Sequence, residues 1–176
     1  AADGTTARAD APALRPARIA DAVRLPGDLA GPPYVLDRPD TTYVLTEDVV
    51  AEGTAIKITA SGVRLELDGH TVRYGRDLDW TDPEQEHPWH GTAHGVYLPG
   101  WGAKNVTVLN GVLSEATPKE QVNQQGFGHN PVMAEGSTGL QLAGLTAVYS
   151  GKDIRGFWLH NGKQAHVHHC VIDDRG

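Results

Sequence analysis

The chain has 176 residues, with 15 Lys and Arg against 22 Asp and Glu, nine His and one Cys. A net charge of −7 argues against a nucleic-acid backbone as the main partner, and no run approaches the ~18 apolar residues of a membrane helix. One cysteine rules out an internal disulfide, while 21 glycines, against a usual ~7% of residues, call for frequent tight turns.

Residues 1–15 (AADGTTARADAPALR) are rich in Ala, Asp, Thr and Pro without apolar periodicity, and read as a flexible leader. The start Ala1-Ala2-Asp3 is what cleavage at an Ala-x-Ala site leaves behind, so the expected localisation is secreted. Over 16–25, PARIADAVRL sets Ile19, Ala22 and Val23 on one helical face behind Pro16, which predicts a short helix. Pro26, Pro32, Pro33 and Pro39 predict an irregular connector up to residue 40.

From Thr41 onward helical periodicity gives way to a repeat. LELDGHTV (65–72), VTVLNGVL (106–113), LQLAGLTAV (140–148) and AHVHHCVI (165–172) share alternating apolar positions around a small or polar turn. A second set precedes them: AIKI (55–58), GVYL (95–98), PVMA (131–134) and GFWL (156–159). The first set starts at 65, 106, 140 and 165, giving intervals of 41, 34 and 25 that shrink towards one value once the insertions 74–93 and 114–130 are removed. Short strands with one buried face are expected, with glycines such as Gly62, Gly69, Gly100, Gly102, Gly111, Gly136, Gly139, Gly144 and Gly162 at the corners.

Stacking the second set in register predicts Val96, Val132 and Phe157 inward and Tyr97, Met133 and Trp158 outward on successive strands. Pro99, Glu135 and His160 follow two residues later, and His94, Asn130 and Arg155 come two before the inward residues, near the same wall. The insertions border it with Trp80, His87, Trp89, His90 and His129. Aromatic plates beside charged groups suit a sugar polymer, whose ring faces stack while its hydroxyls and carboxylates accept hydrogen bonds. Tyr97, Trp158, His94, Asn130 and His129 are therefore the candidate binding residues.

The recurring apolar-x-apolar, turn, V-x-V/L-x-N-G pattern, opened by YVLTEDVVAEGTAIKITASGVRLELDGHTV, resembles the right-handed parallel β-helix proteins of the pectate-lyase-like superfamily. That resemblance implies an all-β solenoid over 41–176 with a short N-terminal capping helix within 16–40. It also implies a groove on a parallel sheet where uronic-acid polymers are cleaved by β-elimination. In such lyases a Lys, Arg or His removes the C5 proton while Arg or Ca²⁺ neutralises the carboxylate. His160 fits the base and Arg155 the neutraliser, with Lys152 and Lys163 as spares. Glycoside hydrolysis shares the fold and needs two carboxylates; Glu135 is one candidate, Asp153 and Asp173-Asp174 are others. A non-catalytic carbohydrate-binding or cell-surface protein is the reading from another class.

Metal chemistry is weakly written. His166 and His168 should project from one strand face, and the acidic loop 77–86 lacks EF-hand spacing, so both read as solvated surface and no metal site is assigned. Cys170, within an apolar stretch, reads as a small hydrophobe. Asp173-Asp174-Arg175-Gly176 closes the sequence with no capping segment, so the expected cover of the last coil is the remainder of the chain or another subunit.

Overall fold

In the computed structural model, which describes residues 21–75, 93–100, 102–116, 130–149 and 156–174, every long-range pairing is between parallel strands and there is no α-helix among the described residues. The smaller sheet has five strands: β2 (Tyr34–Leu36), β5 (Ile56–Ile58), β8 (His94–Leu98), β10 (Asn130–Glu135) and β12 (Phe157–His160), side by side in that order. The nine-stranded sheet holds β1 (Val23–Leu25), β3 (Thr42–Leu45), β4 (Val49–Val50), β6 (Arg64–Glu66), β7 (Thr71–Tyr74), β9 (Thr107–Glu115), β11 (Gln141–Tyr149), β13 (His166–His168) and β14 (Val171–Asp174). After β1 the chain makes five circuits, each crossing the smaller sheet once and then the larger one, and each circuit pairs with the one before.

Alternation explains the burial. Ile56 and Ile58, Val96 and Leu98, and Val132 and Ala134 face the core from the smaller sheet, as Tyr43, Leu65, Val108 and Leu142 do from the larger. β-branched and Leu side chains at every second position leave the outer positions free for other chemistry.

The helix expected over 16–25 is corrected over its described part. Val23–Leu25 is β1, paired in parallel with Tyr43–Leu45. Leu25 precedes Pro26, which disfavours helical backbone at that residue, and the side chain of Leu25 is fully buried in the core instead. The expected connector also holds β2, while residues 1–15, read as a leader, lie outside the described residues.

The intervals hold with one adjustment. Val108 pairs with Leu142 and Leu142 with Val167, giving the 34 and 25 expected, but Leu65 pairs with Val108 while Thr71 pairs with Val112. The difference sits in the bend: Leu67 to His70 separate β6 from β7, where Asn110 and Gly111 suffice inside β9. Those last bends are a left-handed residue at one repeated position, namely Asn110, Gly144 and His169, with φ of 55°, 65° and 53°. A second such ladder runs through Asp40, Gly62, Asn105, Gly139 and Gln164 at the entry to the larger sheet, each but the last donating its backbone N–H to a carbonyl of the following circuit. At that corner a Cβ on Gly139 would meet the side-chain oxygen of Asn105, so glycine is required by φ and by space together.

Candidate functional site

The outer face of the smaller sheet follows from these registers. Val35 pairs with Lys57, Lys57 with Tyr97, Tyr97 with Met133 and Met133 with Trp158, forming one outward row across all five strands. Neighbours along such a row are about 4.8 Å apart in the backbone. Two residues on, Glu135 pairs with His160. The sequence therefore placed Tyr97, Met133, Trp158, Glu135 and His160 on the strands and register they occupy.

Hydrogen bonds tie the row to its neighbour. The Tyr97 hydroxyl donates to Glu135 Oε2 at 3.2 Å, and the Gly100 backbone N–H donates to the same oxygen at 3.2 Å. Burial, then the Glu135 charge and its hydrogen bond, push the Tyr97 phenol above its ordinary value, so it stays a donor at neutral pH. The Trp158 ring lies 6.2 Å from that of His160, which is exposed and has the Asn161 amide 3.2 Å from its Nε2. Met133, between Tyr97 and Trp158, is buried. The result is a strip carrying Tyr97 and Trp158 with a fixed carboxylate beside it and, at one end, an exposed imidazole held by Trp158 and the Asn161 amide.

His94 and Asn130 pair with each other at the start of β8 and β10 and are only 3% and 1% exposed. The His94 ring lies 5.2 Å from that of Tyr97. Arg155, His129, Lys152, Asp153, the acidic loop 77–86, Trp80, His87, Trp89 and His90 lie outside the described residues. Lys163 is exposed at a corner bridged to Thr138, away from the row. Asp173 and Asp174 pair with Val148 and Tyr149 in the larger sheet, not on this wall.

Lys57 is the addition that the sequence reading passed over. The signal was present: aligned with GVYL, the segment AIKI sets Lys57 opposite Tyr97, as the pairing does. A half-buried lysine beside the aromatic strip can meet a ligand carboxylate.

His166 and His168 do share an outward face, with His168 Nε2 3.0 Å from the Gln141 amide and Nδ1 2.8 Å from Nδ1 of His169. Among the described residues no group of three or more His, Cys, Asp or Glu side chains could hold a metal ion. The Cys170 thiol is raised above its ordinary value by burial, against the weaker lowering by backbone contacts, as befits an inert small hydrophobe. A cavity of about 460 Å³ lined by Pro32, Pro33, Val50, Ala51, Glu52, Gly53 and Thr54 offers no base–acid pair. Compared with protein families, with curated proteins and with solved structures, the chain finds no match.

Proposed function

We propose that the chain is an exported, right-handed parallel β-helix protein of the pectate-lyase-like kind, whose small-sheet wall binds a uronic-acid polymer and cleaves it by β-elimination. The observation that carries this reading is the registered row Lys57, Tyr97, Met133 and Trp158 with Glu135 and His160 beside it. Sugar rings stack on Tyr97 and Trp158 while Lys57 attracts a carboxylate. The C5 proton becomes acidic only when that carboxylate is neutralised, a role for Arg155 or a Ca²⁺ ion, with Lys57 as the cation already on the row. His160 removes the proton; the electron pair forms the C4–C5 double bond as the C4–oxygen bond breaks, and the leaving oxygen takes a proton from water.

Hydrolysis is the weaker reading. It needs two carboxylates about 5–9.5 Å apart. Glu135 is already bonded to Tyr97 and Gly100, and the strands flanking it, β8 and β12, carry no second carboxylate.

Affinity electrophoresis in gels cast with a uronic-acid polymer or a neutral glucan tests the wall. Retardation is expected in the acidic gel alone, weakened at least tenfold by Trp158→Ala, a loss of about 1.4 kcal/mol. Equal migration in both gels would remove the reading.

A further inference from the structure

The order of groups along the outward row bears on the shape of the polymer that fits it. Lys57, Tyr97, Met133 and Trp158 stand in one register on β5, β8, β10 and β12, which are consecutive strands of the smaller sheet. Lys57, Tyr97 and Trp158 are half-buried, whereas Met133 is only 6% exposed. The two aromatic plates therefore stand two strands, about 9–10 Å, apart, with no plate between them. They are spread from strand to strand, not along one strand, so a chain that stacks on both must cross the strands.

Each sugar of an extended 1,4-linked chain advances by nearly one strand spacing. Where both ring bonds are equatorial, successive sugars are turned over, and every second sugar offers the same face. Sugars two apart then meet Tyr97 and Trp158 alike, while the one between them passes over Met133. A chain joined through axial bonds coils instead, and its second sugar does not return to the same plane. We infer that the wall takes an extended, two-fold uronan, 1,4-linked through equatorial bonds and laid across the strands with one sugar per strand. This rests on the wall binding a uronic-acid polymer. His160 lies two residues after Trp158 on β12, so the base stands beside the sugar on Trp158. Lys57, three strands away, anchors the carboxylate at the opposite end, and a tetramer is the shortest chain that reaches both. Remote anchoring of that kind orients the reacting sugar.

Titration calorimetry of the 176-residue chain with sized oligomers tests this. The probes are β-1,4-linked mannuronate, with equatorial bonds, α-1,4-linked galacturonate, with axial bonds, and neutral β-1,4-linked glucose. The mannuronate tetramer should bind about fivefold more tightly than its trimer, the worth of one exposed ion pair. It should bind about tenfold more tightly than the galacturonate tetramer, which stacks on one plate only. Lys57→Gln should bring the mannuronate tetramer down to the trimer, and should leave the trimer, seated on the two plates, within about twofold. Equal affinity for the axial and equatorial tetramers, no gain from trimer to tetramer, or a Lys57→Gln loss shared by the trimer overturns the inference and leaves a uronan-binding wall standing. Glucose oligomers bound as tightly as mannuronate, or no oligomer bound at all, would remove the uronan-binding wall and this inference with it.

Discussion

Glu66 carries the clearest single-residue energetics. Its side chain is 4% exposed on the larger sheet, where Arg64 lies 3.2 Å from Oε2 and the Asn110 amide donates to Oε1 at 2.9 Å. The Asp68 backbone N–H donates to the same Oε1 at 3.3 Å, so one carboxylate pins bends in two neighbouring circuits. Glu66→Ala should destabilise the fold by about 2–4 kcal/mol, measured by urea unfolding, because the bend donors lose a buried acceptor. Tyr74 presents the opposite case. Its hydroxyl is fully buried with no hydrogen-bond partner among the described residues, and burial, then the charge of Glu115, raises it well above the ordinary phenol value of 10.0. With the phenol raised in the fold, its ionisation leaves stability unchanged below pH 10 and lowers it as pH climbs towards the folded value, because the unfolded phenol ionises first. Because its hydroxyl is buried without a partner, Tyr74→Phe should be more stable by about 1 kcal/mol at neutral pH, and should lose stability less steeply in thermal melts above pH 10. Neither role was legible in the sequence. Glu66 sits in an alternating strand like any outward polar residue, and only pairing reveals that Asn110 lies against it.

Corners decide the elements. Gly139 has φ of 72° and stacks on Asn105, whereas a Cβ on Gly102 would meet nothing within 4 Å. Gly139→Ala should cost about 1–3 kcal/mol in chemical unfolding, and Gly102→Ala should stay within about 0.5 kcal/mol. Of the nine glycines expected at corners, Gly102, Gly111 and Gly162 have no left-handed φ, and Gly111 is there because Leu67 and the His70 carbonyl leave no room for a side chain. Sequence alternation was sufficient for β8, β10 and β12, where GVYL, PVMA and GFWL align without gaps. It misled at Val23–Leu25, since three residues are too few to separate a strand period from a helical one. It also missed the two extra residues at Leu67 to His70, because the aligned segments were matched through the β7 half of the repeat.

At the scale of the whole molecule, parallel circuits turn a one-dimensional repeat into a two-dimensional surface. Residues 40 or 36 apart in the chain, such as Lys57 and Tyr97 or Tyr97 and Met133, become neighbours on it. The same regularity carries one outward row across all five strands of the smaller sheet, from Val35 through Lys57, Tyr97 and Met133 to Trp158. His160 stands at the exposed end of that surface, beside Trp158 and next in register to Glu135. Elimination and hydrolysis leave different products: the first creates a conjugated unsaturated uronate that absorbs ultraviolet light, the second only new reducing ends. The most direct measurement is ultraviolet absorbance during incubation with uronic-acid polymers, followed in parallel with reducing ends, for the wild-type chain and for His160→Ala. Absorbance and reducing ends should rise together for the wild type, and His160→Ala should lose at least a hundredfold in rate, in line with removal of a general base. Reducing ends without absorbance, or full activity in His160→Ala, would contradict it.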